Sequence, residues 1–331
     1  MNRTEITYRY ERLRAVASGV IETAVTTFLL LIAVQWFEFG ATAKALVAAA
    51  AALGFMLGPV VVSRVAELGW TTAQAAARLT LGAAGCYVLL AAVENRWLYI
   101  AGVIVAMTLA TAVIPLVTQI YTENYPAKKR GKLFSRAAMI RISSAAGFGL
   151  LAGWILTNNN GTEKLASYPA WLLLVFAGAF VMAAFCFSRC PAKPLTGAKG
   201  THPFRSLRFV KEDKLFRHIL ICWMLFGIGN LMLFPLRVEY LANADAYADQ
   251  YTLTFEPTPA RIALILVFIP NVVKLVCSPF WGGLFDRMNF FVLRVVLNFF
   301  FAASLVVFFN SETMVGLCIA AALFGIGNSG G

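Results

Sequence analysis

An all-α membrane protein built as two helical bundles, six helices followed by about four, is the fold class this sequence predicts. Three observations predict it. Only 13% of the 331 residues are charged while 60% are hydrophobic, against ~25% charged in a typical soluble domain. So few charges cannot cover a water-facing surface of this size, and lipid must cover much of it. The apolar residues run continuously over the ~20 residues that a spanning helix needs, without the alternation of a barrel strand. Lysine and arginine concentrate in every second loop, the pattern that orients a multi-spanning chain.

The elements follow in order. Met1 to Arg14 is polar, and the apolar stretch behind it is too long for a cleavable signal. Apolar segments then fall at 15–37, 43–63, 72–93, 97–121, 134–157, 167–188, 216–237, 260–284, 290–310 and 313–331. Glu94-Asn-Arg-Trp97, Asn158-Asn-Asn-Gly161 and Asn310-Ser-Glu312 supply polar turn chemistry between neighbours.

Sorting the basic residues by loop tests the count. One side takes 22, among them Arg14, Lys128, Arg136, Arg208 and Arg294; the other takes five, namely Lys44, Arg96, Lys164, Arg237 and Arg261. Lys274 is left inside a segment. One missed helix would scramble this bias, so it supports both the ten segments and a cytoplasmic N-terminus, in an integral protein of the plasma (inner) membrane.

The same positions argue against other classes. A net charge of +12 would suit nucleic acid, but the charges lie in short loops where they orient the chain, so no nucleic-acid partner is expected. The six cysteines lie in or beside apolar segments without a paired CxxC, which fits neither a disulfide framework nor a zinc site. His202 and His218 share one basic loop. No metal and no cofactor is expected, and without a His/Asp cluster or nucleophile–base pair at membrane level the chain does not read as an enzyme.

The longest internal polar stretch, Ser188 to Arg217, is basic and broken by Pro191, Pro194, Gly197, Gly200 and Pro203. It divides the chain into 1–188, a linker at 189–215, and 216–331. Segments 2 and 8 each carry a proline near one end (Pro59, Pro279) and a short basic turn (Ser63-Arg64, Asp286-Arg287), as parallel repeats would place them. The tenth segment ends in residues that look like helix interior, so a second bundle truncated by two helices is the expectation.

Two motifs carry a resemblance. Gly282-Gly-Leu-Phe-Asp-Arg287 resembles the G-x-L-x-D-R loop motif of the major facilitator superfamily. Glycines there allow close helix approach, and Asp286 suits a neighbouring helix N-terminus. Tyr121-Thr-Glu-Asn-Tyr-Pro-Ala-Lys-Lys-Arg-Gly-Lys132 is similar to the loop between that family's fourth and fifth helices, with Arg130-Gly131 opening the next helix. The first-half counterpart of the Asp-Arg motif departs from the pattern, with Ser63 in place of the aspartate. Gly147-Phe-Gly-Leu-Leu-Ala-Gly153 matches no phosphate loop, but Gly149 and Gly153 share one helix face and suit close packing.

The resemblance implies a secondary active transporter that moves a small solute by alternating access, with proton or cation coupling open, and the charges inside the segments point toward a charged solute. Gly282, Asp286, Arg287, Arg130 and Gly131 would then belong to the cytoplasmic gate. Helices 1, 4, 5, 7, 8, 10 and 11 would line or flank the central cavity, which makes Glu22, Arg141, Asn230, Asn271 and Lys274 the candidate solute or ion-coupling residues. Ionisable groups at such depth cost ~2.5–3.5 kcal/mol each on insertion scales. Glu22 is expected about two turns into helix 1 and Arg141 about two turns into helix 5. A non-transporting sensor, a lipid-handling protein of the same fold or an inactive fragment stands as the alternative.

Overall fold

The computed structural model describes residues 2–160, 167–195, 208–285 and 290–329. Ten helices of fifteen residues or more appear among them. Helix α1 runs as Arg3–Thr23, a π-helical turn Ala24–Phe28 and Leu29–Gln35; α2 is Ala41–Glu67, α3 Thr72–Ala92, α4 Arg96–Asn124, α5 Ala127–Asn160 and α6 Ala170–Ser188. After a short helical turn at Arg208–Glu212 come α7, Lys214–Ala242, and α8, which runs as Pro259–Ala263, a second π turn Leu264–Phe268 and Ile269–Phe285. Then follow α9, Phe290–Phe309, and α10, Met314–Asn328. Nine of the ten are long and apolar enough to cross a membrane, and α10 is a shorter apolar helix.

The turn residues do the work their chemistry suggests. The Thr71 hydroxyl accepts from the Gln74 amide while the Gln74 side chain accepts from the Thr71 amide, closing a capping box on α3. Asn95 accepts from the amides of Trp97 and Leu98 at the start of α4, and Thr313 caps α10 through Gly316. Helices α1, α5 and α7 overrun their apolar segments. In α1 the extra turns are tied down through Thr4, Glu11 and Arg14, and in α5 through Arg130, which a reading of apolar runs cannot register.

The chain forms two compact units. The first comprises Met1–Arg14, Ala41–Phe134 and Leu173–Phe234. In it α2 and α3 both pack on α4. A Cβ at Gly54 would stand 2.6 Å from Thr111 Oγ1 and 2.8 Å from the Met107 carbonyl oxygen, so the α2–α4 crossing depends on glycine; at Gly102 a Cβ would meet only the Leu90 side chain, 2.7 Å from Cδ2. The first turns of α1 are tied here. The Arg14 guanidinium donates to Glu11 at 2.6 and 2.8 Å and to the Tyr121 hydroxyl at 2.9 Å, while Tyr121 donates to Glu11. Arg14 therefore lies in a buried polar network, not in a solvated tail.

The beginning of the linker is also fixed to this unit. Asn124 donates to the Pro191 carbonyl at 2.7 Å, Glu123 accepts from the Lys193 amide, and Thr72 and Leu195 exchange backbone bonds with Lys193 and Trp70. Residues 196–207 of the linker lie outside the described residues.

The second unit comprises Ala15–Gly40, Ser135–Leu172 and Pro235–Gly331. Helix α10 seats against α8 and α9 through two glycines: a Cβ at Gly325 would lie 2.7 Å from the Pro270 carbonyl oxygen, and one at Gly327 2.9 Å from the Phe301 amide nitrogen. Arg237, read as a loop residue by the charge sorting, lies within α7 and is only 4% exposed. Its guanidinium sits 4.0 Å from the Phe324 ring centroid and 4.9 Å from that of Phe308. These ring faces stabilise the charge in part, but Nη2 is buried without a hydrogen-bond partner. Replacing such a charge by an apolar side chain of similar length is often stabilising, by about 1–4 kcal/mol in buried ion pairs. Arg237→Met should therefore raise the Tm of detergent-solubilised protein, measured by intrinsic fluorescence; a fall would mean that the guanidinium has a partner of its own.

Candidate functional site

The second unit gathers the membrane charges around α5. On one side α1 crosses it at Gly19. A Cβ there would collide with the Arg141 carbonyl oxygen and fall 2.7 Å from Ser144 Cβ and 2.8 Å from the Ala145 nitrogen. The Ser144 hydroxyl locks the crossing by donating to the Val16 carbonyl at 2.8 Å. On the other side α8 packs against the Gly149 and Gly153 face that the spacing predicts. Cβ atoms at those positions would stand 2.5 Å from Val267 Cγ1 and 2.6 Å from Ala263 Cβ. The Ala260 amide donates to Thr157 Oγ1 at 2.9 Å.

This double crossing sets the charges beside one another. Glu22 on α1 meets Arg141 on α5 with 3.4 Å between Oε2 and Nε. Both atoms nevertheless lack a hydrogen-bond partner, so the pair is close but not aligned for a hydrogen bond. Lys274 on α8 is half-buried and lies within Coulombic range of both Glu22 and Arg141, farther than an ion pair. Because α1 begins at Arg3 and α5 at Ala127, Glu22 lies about five turns and Arg141 about four turns into its helix, in place of the expected two.

Two π-helical turns flank the cluster and touch each other, Ala24–Phe28 of α1 and Leu264–Phe268 of α8. A π turn disturbs the backbone hydrogen-bond ladder, and such turns are frequent at functional sites. Side chains nearby bond main-chain carbonyls. Thr26 donates to the Glu22 carbonyl at 2.9 Å, Thr23 to Val20 at 2.7 Å, and the Asn271 amide to Val267 at 2.8 Å. Asn271 thus spends one of its two amide hydrogens on its own helix, leaving the second and its carbonyl oxygen to offer. Thr27, 1% exposed, keeps an unpartnered hydroxyl at the first π turn.

The remaining candidates are placed separately. Arg130 donates from Nη2 to the Thr122 and Tyr125 carbonyls at 3.2 and 3.3 Å, so it closes the C-terminal end of α4, where the helix dipole favours a cation. Gly131 has open space where its Cβ would be. Asn230 lies on α7, but its side chain is outside the described residues, as are Asp286 and Arg287; Gly282 lies near the end of α8.

Sequence reasoning missed Gly19, Ser144 and both π turns. A signal for the first was present, since Ala15, Gly19 and Thr23 repeat a small residue every four positions on one face of α1.

A family model described as the Major Facilitator Superfamily matches residues 15–331. No curated protein matches the sequence. Among solved structures, the chain is similar to the nucleoside transporter NupG at 12% identity, covering 99% of this chain and 80% of that one, with a TM-score of 0.69. A bacterial homologue of the human drug peptide transporters is 13% identical, with 99% and 82% covered and a TM-score of 0.64. A bacterial homologue of the human lysosomal transporter Spinster, inward-facing and unoccupied, is 12% identical, with 99% and 72% covered and a TM-score of 0.61. At these identities the likeness is one of fold. With the family match across nearly the whole sequence, the chain belongs to the Major Facilitator Superfamily and is a secondary transporter of the all-α membrane type.

Proposed function

We propose that the chain moves a small solute by alternating access, and that Glu22, Arg141 and Lys274 form its solute and coupling site. The observation that carries this reading is the Glu22–Arg141 pair at 3.4 Å with neither facing atom in a hydrogen bond. A structural ion pair in a membrane gains by aligned, charge-assisted hydrogen bonds. A pair left unaligned can exchange its partners for a proton or a solute without breaking a settled network. The contacting π turns place the least regular backbone of α1 and α8 beside the same charges.

In this reading the bundles are 1–188 and 216–331, joined through 189–215, with the N-terminus cytoplasmic in the plasma membrane as the loop charges favour. Arg130, Gly131, Gly282, Asp286 and Arg287 form the cytoplasmic gate. Asn230 and Asn271 stay candidate solute residues, Asn271 with one amide hydrogen and its carbonyl oxygen to offer. Under proton coupling, Glu22 is the carboxylate that would carry the proton, with Arg141 beside it.

The test is Glu22→Gln in proteoliposomes. The amide keeps the size of the side chain but cannot carry a proton as the carboxyl does. Uptake is expected to persist as exchange while its dependence on pH flattens. A mutant with the wild-type pH profile would remove Glu22 from coupling.

A further inference from the structure

The charge balance of the site names the class of solute. We infer that the chain carries an organic monoanion, a carboxylate, held through its charge by Lys274. This rests on the site proposed above and deepens it.

Arg14, Arg141, Arg237 and Lys274 are cations within spanning helices, and among the described residues three of the four have partners. Arg14 is bonded to Glu11 and Tyr121. Arg141 is paired with Glu22. Arg237 lies between the faces of Phe308 and Phe324. Lys274 has no carboxylate within ion-pair distance and no ring face beneath it; it only senses the Glu22 and Arg141 charges, which largely cancel each other. One positive charge is therefore left over beside the paired residues.

That excess decides between solute classes. A cationic solute would meet two positive groups and one negative group already engaged. A neutral solute would leave the ammonium uncompensated each time the site closes around it and excludes water. A single negative charge balances the site. The ammonium is a compact point charge with three donors on a flexible stem, which suits one carboxylate. A phosphate monoester carries about −1.5 to −2 charges at neutral pH and would overshoot that balance, and the Arg141 guanidinium, which could take either anion bidentately, is engaged by Glu22. The unaligned pair also gives a route for exchange, because a carboxylate arriving at Lys274 can compete with Glu22 for Arg141.

The experiment uses the full chain in proteoliposomes and a panel of radiolabelled probes of similar size: gluconate and lactate as monocarboxylates, succinate as a dicarboxylate, uridine and glucose as neutral solutes, a dipeptide, and choline. At least one monocarboxylate is expected to accumulate several-fold above empty liposomes. Lys274→Gln should lose this by ten-fold or more, and Lys274→Arg should restore most of it, which guards against a variant that simply fails to fold. Uptake of uridine, glucose, the dipeptide or choline that depends on Lys274, without carboxylate uptake, would overturn the monoanion and leave the site standing. Absence of carboxylate uptake by the wild type overturns it equally. Uptake that is unchanged in Lys274→Gln would overturn the site itself.

Discussion

Lys274→Ala is expected to lower solute uptake ten- to hundred-fold while the protein remains inserted and monodisperse. A hydrogen bond to a charged group is worth about 1.5–3 kcal/mol, and each ~1.4 kcal/mol is a factor of ten in affinity. The loss should fall on solute binding, because Lys274 makes no hydrogen bond or ion pair within the protein that its removal would leave broken among the described residues. For the same reason, folding should be unharmed. Initial rates across solute concentrations in proteoliposomes check this, with size-exclusion profiles as the control. Wild-type kinetics in the alanine variant would exclude Lys274 from the site.

Gly19→Val should do the opposite, harming the fold first and the site through it. The added side chain points at the Arg141 carbonyl oxygen and the Ala145 nitrogen, which are backbone atoms and cannot turn aside as a flexible side chain would. Overpacking typically costs about 1–3 kcal/mol and occasionally more. Relief requires α1 and α5 to separate, which stretches the Ser144–Val16 bond and moves Glu22 away from Arg141. A lowered Tm accompanied by weakened transport is the expected result. Gly85→Ala on α3 is the control, since nothing lies within 4 Å of the added carbon, and in a helix alanine is favoured over glycine by about 1 kcal/mol. Equal behaviour of the two variants would show that the Gly19 crossing is not what holds the pair together.

The ten helices were legible because each apolar run is long and each connection carries turn or capping residues such as Asn95 and Thr313. Helix ends were less legible wherever the protein itself satisfies polar residues. Arg14 and Arg237 look like loop charges in a linear reading, yet one is bonded to Glu11 and Tyr121 and the other lies between two phenylalanine rings. Those partners are tens of residues away in the chain or more, apart from Glu11.

The candidate charges were legible one by one, because an ionisable group inside an apolar run stands out. Their assembly was not. It depends on Gly19, Gly149 and Gly153 bringing α1, α5 and α8 to close range, and only the Gly149–Gly153 spacing was read as a packing face. The π turns have no signature that periodicity could reveal, since each inserts its irregularity into an unbroken apolar stretch.

The central claim is that the Glu22, Arg141 and Lys274 cluster is the site that faces each side of the membrane in turn. The most direct measurement places a single cysteine at Lys274 (Lys274→Cys) in a background with the six native cysteines replaced. A charged, membrane-impermeant methanethiosulfonate reagent is then applied to sealed vesicles from each side separately. Alternating access predicts modification from both sides. Modification from one side alone, or from neither while denatured protein reacts fully, would contradict the account.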